Sequence, residues 1–381
     1  MKTFLKARSV WKFLSNLAAF YFYYYFSPGQ LAASTSQVNT PFVYFNIQSK
    51  LSERHYSYLL FCFNQAGIAI RLKNSLHFFG NISTYSKQIA TLNLLKIVYV
   101  PPDPKDCLLM ISDINTDQYR NYKYKLTLDI SVFEKNKLRG SNQILPFFMI
   151  PRLYFSGTYH QARSLCTNSR RKFKIFFSGN LNPDQYNSSK FKLLFNKLTR
   201  IEIIDALENG LNSDQILTLE EVKDNEIYFN RFVYSAWSRK SMKQVNINGR
   251  IENPEWLQIL SKVDFFLACP GFIQPMCHNV IEAMSVGAIP ILEHPEFFNP
   301  PLTNGHNAIV FSGREDLLIK IKEVLDIEVR EIKKLRANVL NYYNEVLSPD
   351  AIVSDLMNQR EHRKKMYLIE SAYFWNLPVN G

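Results

Sequence analysis

One stretch constrains this chain more than any other: VDFFLACPGFIQPMCHNVIEAMSVGAIPILE, from Val263 to Glu293. The apolar run Val263 to Ala268 is long enough for a buried strand, and Cys269-Pro270-Gly271 turns the chain out of it. A helix-length segment follows from Cys277 to Val286, Gly287 permits a turn, and Ala288 to Leu292 is apolar again. Strand, helix and strand of these lengths make a βαβ unit, which needs a parallel sheet to sit in. Pro290 inside the second run reads as an edge or a bulge, because proline cannot donate to the ladder.

The rest of the chain repeats the alternation. Phe42 to Ile47, Ile68 to Leu72, Leu95 to Val100, Leu108 to Ile111, Lys174 to Ser178 and Ile201 to Ile204 read as strands. Ser52 to Ala66, Phe191 to Leu198, Glu255 to Ser261, Leu317 to Leu325, Val329 to Val346 and Ala351 to Tyr367 read as helices. That is an α/β pattern. At 381 residues the chain exceeds what one core sustains, about 250–300 residues, so two domains are expected. The prolines between Leu145 and Tyr154, followed by a basic run to Lys174, mark the waist. The expected organisation is a basic aromatic segment over 1–35, domains over 36–165 and 166–345, and terminal helices over 346–381.

Lys and Arg total 45 against 33 Asp and Glu, a formal charge of +12, which attracts something anionic: phosphate, nucleic acid or an acidic membrane surface. Nucleic acid is not the expected partner. No recognition-helix, RRM, KH or zinc-finger pattern occurs, and the bases lie in separate patches, Lys2 to Lys12 and Arg163 to Lys174. Five widely spaced cysteines fit reduced thiols and a cytoplasmic location. The aromatic stretch Phe13 to Phe26 is broken by Ser15 and Asn16 and falls short of the roughly 20 apolar residues of a spanning helix. Trp11, Leu14, Ala18, Tyr21 and Tyr25 recur at helical spacing beside Lys6, Arg8 and Lys12. Two readings follow: an amphipathic segment lying on an anionic membrane surface, peripheral to the inner membrane, or a helix packed on the chain's own first domain.

Ligands of open α/β sheets bind beyond the carboxyl ends of the strands, so the loop after Ala268 faces the expected crevice. The start of the helix that follows offers unpaired N–H groups and a partial positive charge, suited to phosphate. His278 and Glu282 are four apart, Asn279 and Glu282 three apart, so the three share one helix face. A carboxylate there is placed to accept from two ribose hydroxyls; the plainer reading is an acid that stabilises the first turns of its helix.

The stretch resembles the donor-binding domain of nucleotide-sugar-dependent glycosyltransferases of the two-Rossmann GT-B type, especially the exostosin-like group and its bacterial surface-polysaccharide relatives. The residues that carry the likeness are Cys269-Pro270, Glu282-Ala283, Gly287 and Pro290-Ile291. Phe176 to Asn180 is similar to the strand and glycine turn that open that domain, and Asn253 to Asp264 to its helix-to-strand lead-in. The likeness covers roughly 172 to 325. Two departures leave the sugar and the stereochemistry open: Gln274 stands where related retaining enzymes carry the first of two glutamates, and Asn279 where exostosin-like enzymes often carry arginine.

The resemblance implies two Rossmann-like domains facing each other across a cleft. It implies transfer from a nucleotide-diphosphate sugar to a saccharide or glycolipid acceptor in surface polysaccharide or lipopolysaccharide synthesis, with no metal or other cofactor. The chain contains no Asp-x-Asp. Implied donor-binding residues are Gly179, Asn180, Arg239, Lys240, Pro270, Gly271, Gln274, His278, Asn279 and Glu282. Lys243 is a further candidate cation for the leaving diphosphate. His55, Asp113, Asp117 and His160 are candidates for the catalytic base; none stands in a motif, and no base is assigned. The alternative is a non-catalytic GT-B scaffold in a polysaccharide assembly complex, which Gln274 and Asn279 keep open.

Overall fold

The structure, a computed structural model, describes residues 2–26, 40–48, 53–82, 85–114, 119–129, 142–223, 226–237, 251–360 and 365–369. Arg239, Lys240, Lys243 and Asp117 lie outside them. The described chain divides into two compact units, one of residues up to Leu145 joined by those from Ser348 to Ile369, the other of Pro146 to Leu347. Each contains a sheet whose strand pairs are all parallel, so the fold is two Rossmann-like α/β units in one chain, as the βαβ pattern requires. The units part at Leu145, not at 165, because the short helices Pro151–Phe155 and Gln161–Asn168 bond to the second unit. Ile150 N donates to Glu282, and Ser261 Oγ donates to Ser169 Oγ.

In the first unit β1 (Phe42–Asn46), β2 (Ala69–Lys73), β3 (Leu95–Val98), β4 (Cys107–Ser112), β5 (Lys125–Asp129) and β6 (Asn142–Ile144) are joined by a strand from near the C-terminus, β13 (Lys365–Tyr367). Their order is β3-β2-β1-β4-β5-β13-β6. The stretch Ala351 to Tyr367, expected as one helix, is therefore a helix, Pro349–Asn358, and then a strand. Three residues are too few for a period, and only the slot between β5 and β6, where Met366 lies opposite Leu128 and Gln143, makes them a strand.

Helix α1 (Lys2–Phe26) packs on the helices Leu76–Asn81 and Ser86–Ala90. Buried Phe20 stacks on Phe79 with ring centroids 4.1 Å apart. Asn16 donates to Gly80 O at 3.1 Å, Tyr21 Oη to Asn74 at 2.7 Å, and Ile97 N donates to Tyr24 Oη at 2.9 Å. The face bearing Tyr21 is thus covered by the first unit, while Trp11, Leu14 and Ala18 point outward. No described helix is long and apolar enough to cross a membrane.

The second unit contains β7 (Phe173–Asn180), β8 (Ile216–Thr218), β9 (Tyr228–Trp237), β10 (Val263–Leu267), β11 (Ile289–Leu292) and β12 (Ile309–Val310), ordered β12-β11-β10-β7-β9-β8. Ile201 to Ile204 is not a strand; it lies in the helix Arg200–Gly210, opened by a capping box in which Thr199 and Glu202 bond each other's backbone N–H. Pro290 is not at an edge: β11 lies between β10 and β12, and the ladder with β12 begins only at Ile291, so no partner is lost. The basic run before β7 is used internally. Arg171 donates to Val263 O and Val286 O at 2.8 Å each, and Lys172 Nζ to Lys223 O at 2.6 Å.

Candidate functional site

β7 is the pivot of the second sheet. Strands β8 and β9 lie on one side of it and β10, β11 and β12 on the other, so the chain reverses direction across the sheet between β7 and β10. A crevice opens at such a switch point beyond the carboxyl ends of the strands. Here β7 ends in Gly179-Asn180, and β10 runs through Ala268 to Cys277 into the helix His278–Ser285. Of the residues singled out in the sequence, the switch point gathers Gly179, Asn180, Pro270, Gly271, Gln274, His278, Asn279 and Glu282.

Arg200 holds the two strand ends together. Its Nε and Nη2 donate to Pro270 O at 3.1 and 2.8 Å, its Nη1 to Asn180 O at 3.2 Å, and its guanidinium lies 3.9 Å over the Tyr186 ring. A lysine could not do this, because it lacks the planar fork. The glycines are fixed by crowding. A Cβ on Gly271 would meet the carbonyl oxygens of Gln274 and Met276 at 2.9 Å, and one on Gly179 would meet Arg200 Nη1 at 3.1 Å and the Phe177 ring at 2.8 Å. Asn279, where the resemblance implies arginine, donates through Nδ2 to Ser178 O at 3.2 Å and so ties the helix start to β7.

Glu282 is only 1% exposed. Its Oε1 accepts from Ile150 N at 2.9 Å and faces His278 Nδ1 at 2.9 Å; its Oε2 accepts from Trp256 Nε1 at 2.6 Å. Burial pushes this carboxyl up, but the charge on His278 and the hydrogen bonds from His278, Ile150 and Trp256 outweigh it and hold the group below the usual carboxylate range. Glu282 is therefore an ionised internal anchor. It holds Trp256 beneath the site helix and fixes one edge of the half-buried His278 ring at that helix's first turn.

The electrostatics of the helix start are positive. It has no acid in its first turn, and Arg200 and His278 flank it. Cys277 is the residue before the helix, and it is acted on by these groups and, in the opposite sense, by the charge of Glu282. Burial pushes its thiol up, yet the charges of His278 and Arg200 and a bond from the Asn279 N–H outweigh burial and leave it below the ordinary thiol value. A helix start without acids in its first turn, beside the half-buried His278 imidazole, is an environment suited to an anion such as phosphate.

The sequence singled out the glycines, His278 and Glu282 as candidates and passed over Arg200, Trp256 and the Ile150 N–H, which the structure places against them. For Arg200 a signal existed: Thr-Arg-Ile-Glu at 199–202 is a capping box, which puts Arg200 in the first turn of the helix Arg200–Gly210. Among the base candidates, Asp113 lies at the end of β4 in the first unit, beside the end of β1, with Gln48 N donating to it at 2.9 Å and Tyr56 Oη at 3.2 Å. His55 is buried in the helix after β1, and His160 belongs to the second unit. Among the described residues no group of three or more His, Cys, Asp and Glu could hold a metal ion.

Comparison of the sequence with protein-family models and with curated proteins finds no match. Among solved structures the chain is similar to HepE (Alr3699) of Anabaena in complex with UDP, at 9% identity and a TM-score of 0.47 over 84% of this chain and 99% of that one. It is similar also to a glycosyltransferase from Rickettsia africae, at 11% identity and a TM-score of 0.47 over 84% and 98%. A third is UGT89C1 of Arabidopsis thaliana with quercetin, at 10% identity and a TM-score of 0.43 over 84% and 100%. At such distances it is the chain's own geometry that decides what the site can do.

Proposed function

We propose that the chain is a metal-independent GT-B glycosyltransferase. In this reading the second unit binds a nucleotide-diphosphate sugar and the acceptor is a saccharide or lipid-linked saccharide of surface polysaccharide or lipopolysaccharide synthesis, on the cytoplasmic side of a membrane. The observation that carries it is the switch point between β7 and β10, where Arg200, His278 and a helix start without acids converge on two glycine-bearing strand ends. Gly179 and Gly271 let the strand ends pack tightly around Arg200, and the diphosphate meets the start of the helix His278–Ser285 beside them. His278, steadied by Glu282, stabilises the charge that develops on it, and Arg239 and Lys240 after β9 supply further cations.

In the transfer step the acceptor hydroxyl oxygen bonds to the sugar's anomeric carbon. The bond from that carbon to the diphosphate breaks, its electron pair leaves with the diphosphate, and the hydroxyl proton passes to a base. Asp113, at a strand end of the first unit and oriented by two donors, is the candidate base that this reading tests. Transfer from a panel of uridine and guanosine diphosphate sugars, followed with His278→Ala and Asp113→Asn, tests the proposal. The expected result is turnover of one donor, weaker nucleotide binding in the first variant, and lost turnover with retained binding in the second. No nucleotide binding overturns the site. Tight binding without turnover of any donor supports the scaffold reading instead.

A further inference from the structure

Among the described residues the outward face of α1 has no partner, and its chemistry is that of a membrane surface. Trp11 is 75% exposed, Phe22 59% and Phe26 72%, and with Leu14 and Ala18 they form one apolar stripe along the helix. The stripe continues off the helix. Tyr25 Oη lies 3.5 Å from Tyr99 Oη, and Tyr99 and Val100 are exposed at the end of β3. The opposite face is spent on the first unit through Phe20, Tyr21 and Tyr24, so the stripe is not an unfinished core contact.

Charge selects the occupant. The first 102 residues contain ten lysines and arginines and a single acid, Glu53, so nine of the chain's twelve net positive charges belong to this region. Lys12 on α1, Lys87 on the helix beneath it and Lys96 on β3 are all exposed. The elements α1 packs against contain no acid. Aromatic residues in a stripe flanked by lysines suit the boundary between headgroups and acyl chains, with the bases meeting anionic lipid. A second copy of the chain is the poorer occupant, since an isologous contact would bring two net basic surfaces together.

We infer that α1 docks the protein on an anionic bilayer, lying in the plane of the interface with Trp11, Phe22 and Phe26 inserted. This stands independently of the glycosyl-transfer reading. Flotation of the full chain with vesicles of phosphatidylcholine mixed with phosphatidylglycerol, against phosphatidylcholine alone, tests it at low and high salt. Binding is expected to the anionic vesicles only and to weaken with salt, and Trp11→Ser, Phe22→Ser and Phe26→Ser together should lower it by about tenfold or more. These side chains are exposed, and circular dichroism will show that the fold is kept. Failure of the wild type to float, or equal flotation of the variant, overturns the inference. So does a wild-type dimer that the triple variant abolishes without any vesicle binding. Nucleotide binding measured without vesicles is unaffected in the variant, so the two readings fail separately.

Discussion

At the scale of single residues the site depends on a carboxylate that water cannot reach. Glu282 stays ionised inside the second unit because three protein groups supply what solvent would otherwise give. Glu282→Gln keeps the shape but sets an amide NH2 against these donors, and should cost about 2–4 kcal/mol in urea unfolding. The sign of the pH effect follows from the depressed folded value. The stability Glu282 contributes is complete above the unfolded carboxylate pKa, about 4.3, and is lost as pH falls through the folded one, so Glu282→Gln should flatten the acid limb of a Tm-against-pH curve. Gly271→Ala drives a methyl against two backbone carbonyls and should destabilise by about 1–3 kcal/mol while abolishing nucleotide binding. These positions were legible by type and spacing. The partners of Glu282 were not, because Trp256 and Ile150 lie 26 and 132 residues away in sequence and nothing local joins them.

Elements show where periodicity suffices and where it does not. The βαβ unit from β10 to β11 is plain in the sequence because both strands are buried and the helix between them has one apolar face. Ile201 to Ile204 misleads, since four residues with three isoleucines satisfy a strand pattern as well as a helix pattern; the capping box of Thr199 and Glu202 decides the matter. Thr199→Ala should cost about 1 kcal/mol in chemical unfolding and loosen Arg200, seen as weaker nucleotide binding with little change in turnover. β13 had no signal of its own, being three residues defined wholly by the slot they fill. A chain ending at Gln359 leaves β5 and β6 without the strand between them, and limited proteolysis should then cut the first unit while sparing the second.

Across the whole molecule, a parallel α/β fold in two units was readable from length and alternation, and the parting at Leu145 falls at the start of the proline-marked stretch, whereas the side on which residues 146–169 belong was not readable, because they serve the second unit through tertiary bonds. The net charge of +12 was readable as an attraction to anions but not as a map. Arg171 and Lys172 turned out to brace backbone carbonyls, while the first 102 residues hold most of the excess. The central claim is that the second unit's switch point is a nucleotide-diphosphate site. Hydrogen–deuterium exchange of the full chain with and without UDP or GDP tests it most directly. Protection is predicted at the end of β7, through Asn182, and from Cys269 to Glu282. Absence of protection there, or protection confined to the first unit, would contradict the account.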